Sequence, residues 1–235
     1  MHDPRIIAIE TSSASGSVAI GQGPRLIAER SFSTQTQHAR ELLPTLALLY
    51  QENGWRAGEV EECYLSIGPG SFTGLRVAVT FARHLALATG AKLCPVPTLD
   101  VIAANALGLA QRPLRLAVIL DAKRGQVFGA IFSLLGEAYQ PDEAPRLTEP
   151  AALLKEGEKL SVIGEGIDYH RPAVEASGAN LIDRSMWSPR AAGVYRLGWE
   201  LARADHFAPP RELLPCYIRK PEAEELWEKR QASGT

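Results

Sequence analysis

A strand, a tight turn and a second strand open each half of this chain, and that repetition constrains its fold more than any other feature. Near the start, Arg5 to Glu10 is rich in β-formers and Thr11 to Ser15 is a polar turn cluster. Ser17 to Ile20 follows, and the Gly21-Gln22-Gly23 turn leads into Leu26 to Phe32. Connections this short favour antiparallel neighbours. The second half restarts in the same way: Leu114 to Asp121 and Gln126 to Ser133 flank the turn Ala122-Lys123-Arg124-Gly125. Both opening strands end on an acid, Glu10 and Asp121. Such repetition predicts two halves of related topology.

Helical patterns fill the intervals. One spans Ala39 to Asn53 and is stopped by Gly54; Pro44 should lie near its first turn or kink it. The apolar strand Cys63 to Ile67 runs into Gly68-Pro69-Gly70-Ser71-Phe72-Thr73-Gly74, and a second helix covers Thr73 to Thr89 with Gly90 as its C-terminal cap. Lys92 to Val96 is a strand, and Thr98 to Ala110 is helical until Gln111-Arg112-Pro113 breaks the pattern. Further on, Pro141 to Pro145 is a loop, and Thr148 is placed to cap a short helix with Pro150 in its first turn. Leu160 to Gly164 is a strand, and Ser188 is placed to cap a helix with Pro189 first, running to Ala204. Alternating strands and helices give an α/β class with mixed sheets. The expected domains are 1–110 and 111–218, the last helix able to pack back on the first domain, followed by a charged tail, 219–235.

Composition excludes several functions. With 235 residues, 46% of them hydrophobic and 22% charged, the chain can bury an ordinary core. A net charge of -2 supplies no positive field for nucleic acid, so any RNA would need most of its phosphate contacts from something else. Cys63, Cys94 and Cys216 are odd in number, far apart and free of CxxC spacing, which argues against disulfides and zinc knuckles. Met1-His2-Asp3-Pro4-Arg5 lacks the build of a signal peptide, and no long apolar run could span a membrane. The expected location is the cytoplasm.

Candidate chemistry is sparse. His2, His38, His84, His170 and His206 have no second histidine one helical turn away, and Leu42 stands one turn after His38, so no metal site is expected. No GxSxG elbow occurs; Ser71, just before a helix and without an evident base, suits a helix cap better than a nucleophile. The loop at Gly68 to Gly74 could in principle present N–H groups and a helix dipole to an anion. It is not a Walker A loop, since Leu75 stands where lysine is needed. The glycines are read first as permitting a tight turn and close packing.

The helix faces carry more information. Ala39, Leu42, Leu43, Leu46, Ala47, Leu49 and Tyr50 cover an arc of roughly 160°. Leu75, Val77, Ala78, Val79, Phe81, Ala82, Leu85 and Ala86 cover about 200°. One sheet needs a stripe of only about 100°, so the excess predicts burial on two sides, against the sheet and against a partner. The residues expected at that partner surface are Leu42, Leu46, Leu49, Tyr50, Leu75, Val79, Ala82 and Ala86.

Five blocks in order resemble the TsaB (YeaZ-type) family: Ile6-Ile7-Ala8-Ile9-Glu10-Thr11-Ser12, His38-Ala39-Arg40-Glu41-Leu42-Leu43-Pro44, Gly68 to Arg76, Asp121-Ala122-Lys123-Arg124-Gly125 and Tyr217-Ile218-Arg219. The Gly68 to Arg76 block, with Gly68, Gly70, Ser71, Thr73, Gly74 and Arg76, is the most specific. The resemblance implies two related domains of the actin, Hsp70 and sugar-kinase (RNase H-like) type. It also implies a non-catalytic subunit beside a TsaD-type catalytic subunit and a TsaE-type ATPase, which together form threonylcarbamoyladenosine next to the tRNA anticodon. Alone, such a chain would pair with itself. It would hold no cofactor of its own, ATP being implied for the complex. A degenerate nucleotide cleft would retain Glu10, Thr11, Ser12 and Asp121. Glu10-Thr11-Ser12-Ser13 lacks the glycine of an active phosphate loop, and Gly164-Glu165-Gly166 is a poor adenosine motif. The alternatives are a small-molecule kinase or ATPase of the same fold and, behind it, a metalloprotease-like protein, which would need at least three metal ligands.

Overall fold

The computed structural model describes residues 2–33, 38–155, 159–219 and 231. Of the expected tail, only Arg219 and Gln231 fall among them; Lys220 and Glu222 to Arg230 lie outside the described residues.

The chain opens with β1 (Arg5–Glu10), β2 (Ser15–Gln22) and β3 (Arg25–Ser33), an antiparallel meander, to which β4 (Glu62–Ser66) and β5 (Lys92–Val96) add in parallel beside β1. The sheet order is β3-β2-β1-β4-β5. Ile7, Ile9, Val18 and Ile20 point to one face, and Ile6, Ala8, Ala19 and Tyr64 to the other. Both faces are covered, which is why β1 is a continuous apolar run instead of an alternating one. The first face carries α1 (His38–Asn53) and α2 (Phe72–Thr89). Pro44 lies inside α1, past its first turn, the first of the two places left open for it. Gly90 ends α2 at φ 77°, donating its N–H to Ala86 O, as its position predicted.

After β5, α3 (Thr98–Asn105) crosses to a second sheet, burying Leu99, Ile102 and Ala103 against it. The helix is shorter than the expected Thr98 to Ala110: it tightens into a 3-10 turn at Ala106–Gly108. At the helix end Asn105 Nδ2 donates to Met186 O and Ser188 O. The second sheet comprises β6 (Arg115–Asp121), β7 (Val127–Leu135), β8 (Ala138–Pro141), β9 (Arg146–Thr148), β10 (Ser161–Ile163) and β11 (Asn180–Leu181), in the order β11-β10-β6-β7-β8 with β9 also on β7. Thr148 is a strand residue paired with Val127, not the expected cap; Glu149 precedes α4 (Pro150–Leu153), and Pro150 takes the first helical position. Sequence reasoning missed β8, β9, β11 and α5 (Gly166–Ala176), the last because Pro172 and a non-helical His170 interrupt it.

The last helix, α6 (Ala191–Arg203), returns to the open face of the first sheet, where Val194 and Tyr195 bury with Ile6, Ala8 and Tyr64. Gly198 lets its backbone lie against the Tyr64 ring, where a Cβ would collide. Ser188 does not cap α6; its hydroxyl donates to Glu165 Oε1 at 2.7 Å. The caps come from the first sheet. Ser17 Oγ accepts from Ala191 N–H (2.8 Å), and Glu29 Oε1 accepts from Ala192 N–H (3.0 Å) while pairing with Arg190. A carboxylate at a helix N-terminus satisfies orphan donors and meets the positive end of the dipole. Among the described residues no helix is long and apolar enough to cross a membrane.

Candidate functional site

The end of β1 and the start of α2 are locked together. Glu10 is fully buried and accepts from Ser12 N–H and Ser12 Oγ (2.5 Å each) and from Ser66 Oγ. Burial pushes its carboxyl up from the ordinary value of 4.5, against the lowering effect of these bonds. Thr11 Oγ1 donates to Gly74 O (2.8 Å), and Ser71 N–H donates to Ser12 O (2.7 Å). Ser71 Oγ accepts from Gly74 N–H, so this serine is the helix cap that its position suggested. A Cβ on Gly74 would overlap the Thr11 carbonyl oxygen, and one on Gly70 would overlap that of Ser12. The glycines therefore serve close backbone approach. The donors and space that a phosphate would use are largely taken by the chain itself.

Above this knot lies a cleft of about 220 Å³, lined by Ser12 and Ser71 on one side and by Asp121, Lys123, Glu165 and Tyr169 on the other. Of the four residues expected in a degenerate nucleotide site, Ser12 and Asp121 reach the cleft, whereas Glu10 and Thr11 are fully buried. Lys123 and Arg124 both have positive φ, 63° and 56°, ahead of Gly125. This turn lets Lys123 Nζ fold back onto Asp121 Oδ2 at 2.9 Å and over the Tyr169 ring. His170 Nε2 lies 3.1 Å from Asp121 Oδ1. Burial would raise the Asp121 carboxyl, but the bonds from Lys123 and His170 outweigh it and hold it below 3.8. Lys123, Tyr169 and His170 were not foreseen; the turn block 121–125 held the only signal for Lys123. Among the described residues no group of three or more His, Cys, Asp or Glu could hold a metal ion.

A second hollow, about 560 Å³, runs between α1 and α2 and is lined by Leu43, Phe72, Thr73, Arg76, Val77, Thr80, Phe81 and His84 together with Ala39 and Leu42. It corrects the expected partner surface. Leu42, Leu46, Leu49, Leu75, Val79, Ala82 and Ala86 are all buried, at 7% exposure or less, and Tyr50 is half-buried against the same core. Apart from Leu42, which also lines the hollow, they are the centre of each stripe, which the sheet covers. The uncovered apolar residues are on the flank: Leu43 is 58% exposed and Phe72 38%. The signal was present in the width of the arcs, since Leu43, Val77 and Phe81 lay within them. Choosing the edge of each stripe instead of its middle would have found them. Of the loop motif, Gly70 and Ser71 line the cleft, Thr73 and Arg76 line the groove, and Gly68 and Gly74 are buried.

Comparison with known proteins adds a family. The family profile described as "TsaD: tRNA N6-adenosine threonylcarbamoyltransferase" matches residues 26–196. A Bacillus subtilis relative, "tRNA threonylcarbamoyladenosine biosynthesis protein TsaB", is 28% identical, the match covering 94% of this chain and 97% of the relative. The Escherichia coli protein of the same description is 24% identical over 92% and 94%. Among solved structures, "YeaZ from Pseudomonas aeruginosa" superposes with a TM-score of 0.77 at 25% identity, covering 91% of this chain and 99% of that one. A further Pseudomonas aeruginosa protein, described as similar to peptidase YEAZ, shares the fold at a TM-score of 0.81 and 23% identity, over 92% and 100%.

Proposed function

This chain belongs to the TsaD family of tRNA N6-adenosine threonylcarbamoyltransferases, and from that premise we propose that it serves threonylcarbamoyladenosine biosynthesis on tRNA as a TsaB-type subunit, binding and supporting a TsaD-type catalytic partner. The full-length relatives described as TsaB support this placement within the family. The observation that carries the partner-binding role is the α1–α2 groove. Leu43, Phe72, Val77 and Phe81 line an open apolar hollow on two helices whose opposite faces are already fixed to a sheet. Apolar surface of this kind, held on rigid elements, is what a protein partner covers.

The transfer itself is assigned to the partner. Glu10 is enclosed and saturated by serine donors, and Gly70 and Gly74 are used up in packing on Ser12 and Thr11. This arrangement suits a scaffold better than a phosphate-handling loop. ATP enters with a TsaE-type ATPase at the level of the complex, tRNA is met mainly through the other subunits, and without its partner the chain pairs with itself through the same groove.

The test is association. Leu43→Asp and Phe81→Asp should each weaken binding to a TsaD-type subunit at least roughly tenfold by sedimentation, because a charge would be left in an apolar contact. Undiminished binding by both variants would overturn the groove as the interface. Calorimetry with ATP and magnesium addresses the rival kinase or ATPase: micromolar binding by the chain alone would revive it.

A further inference from the structure

We propose that residues 213–219 form a latch that holds the two halves closed over the cleft, and that a partner seated in the α1–α2 groove tightens it. The tightening rests on the function proposed above; the latch does not.

The latch is rooted in the first half. Leu213 is buried in the core that α1 and α2 cover, and Cys216 N–H donates to Ile67 O at 2.6 Å. Cys216 O lies so close to Gly68 that a Cβ there would strike it. Tyr217 then stacks on Phe72, with ring centroids 4.9 Å apart and an interplanar angle of 29°. Two residues later the chain is bonded to the second half. Arg219 donates to Ala122 O and to the Gln126 side chain, on the turn that follows β6. The planar guanidinium fork reaches both acceptors at once. These contacts bracket the cleft. Gly70 and Ser71 line one wall, between Gly68 and Phe72, and Asp121 and Lys123 line the other, on either side of Ala122.

The chain passes between the halves twice before the latch, through α3 and through residues 188–190. Those two passages are bonded to each other, Asn105 at the end of α3 donating to Met186 O and Ser188 O. Passages joined at one place make a hinge about which packed halves rotate. The latch is bonded at other residues, so it limits that rotation. Phe72 joins the latch to the groove. It is a groove wall as well as the platform for Tyr217, and Arg76, also a groove wall, lies over the same ring at 5.3 Å. A partner packed on Phe72 and Arg76 fixes the ring on which Tyr217 rests and so favours the latched state. By linkage, the latched state binds that partner more tightly.

The experiment uses the full chain with spin labels at Ser15 and Ala176, both exposed, and with Cys216→Ser throughout so that its thiol stays unlabelled. Ser15 follows the cleft residues Ser12 to Ala14, and Ala176 ends α5, which carries Tyr169 on the opposite wall. With the latch intact the labels should report a single distance. Arg219→Ala and Tyr217→Ala should each add a population displaced by more than about 2 Å. Leu214→Ala, 64% exposed in the same segment, should add none. Near-ultraviolet circular dichroism should be unchanged in all three, which separates opening from unfolding. A single unshifted distance in both latch variants, the same displacement in Leu214→Ala, or loss of the dichroism signal in the latch variants would overturn the latch. Arg219→Ala should also bind the TsaD-type subunit roughly threefold or more weakly, although Arg219 lies outside the groove, and saturating subunit should restore the single distance. Unchanged affinity, or a cleft that stays open in the complex, would overturn the tightening alone. If Leu43→Asp and Phe81→Asp bind that subunit normally, the function proposed above fails separately.

Discussion

Glu10 and Asp121 end equivalent strands, yet their surroundings move their acidity in opposite directions. Desolvation raises Glu10 above 4.5, so the folded chain keeps a proton that the unfolded chain has lost. That stability is fully present below 4.5 and is lost as pH rises through the folded value. Glu10→Gln retains the shape without the charge. Its melting temperature should vary less above pH 4.5 and exceed that of the unaltered chain at pH 8, by the equivalent of about 1–3 kcal/mol. For Asp121, burial raises the carboxyl, but Lys123 and His170 hold it below 3.8. Its contribution is present above 3.8 and lost as pH falls through the folded value. Asp121→Asn should cost about 1 kcal/mol at pH 7 in denaturant unfolding. Gly74→Ala, forcing a Cβ onto the Thr11 carbonyl oxygen, should cost roughly 3 kcal/mol or more and detach the β1 end from α2. The identity of these residues was legible in the sequence, but Lys123 and His170 as partners of Asp121 were not. One depends on a turn with two non-glycine residues at positive φ, the other on a helix that arrives 49 residues later.

At the scale of elements, α1 and α2 were legible almost to the residue, because their apolar positions repeat with helical spacing and Gly54 and Gly90 end them. What the stripe width left open was which part of each arc meets the sheet. Leu46 is 4% exposed and packs in the core, whereas Leu43 is 58% exposed on the groove. Leu46→Asp should therefore unfold the chain, losing about 3–5 kcal/mol by thermal or denaturant melting. Leu43→Asp should leave the melting temperature nearly unchanged while weakening association. Equal effects of the two variants on stability would contradict the assignment of faces. The short strands β8, β9 and β11 escaped notice because they have only two to four residues each, too few for a period to register.

Across the whole molecule, α6 holds the two halves together: it follows the second sheet but covers the first, with Ser17 and Glu29 satisfying its N-terminal donors. Glu29→Ala leaves Ala192 N–H without its acceptor and Arg190 without its counter-ion. It should lower stability by about 1–2 kcal/mol. Trp187, buried with the second sheet, and Trp199, on α6, should report one coincident transition on heating. The sequence by itself determined the alternation of strands and helices, the two acid-ended hairpins and the amphipathic stripes, because those depend on neighbours a few residues apart. Only the tertiary structure decided that Ser188 binds Glu165 while residues from β2 and β3 cap α6, that the glycine loop closes on Thr11 and Ser12, and that the flanks of α1 and α2 remain open. Each of those outcomes is a meeting between segments far apart in the chain, and local spacing carries no information about which distant group will arrive.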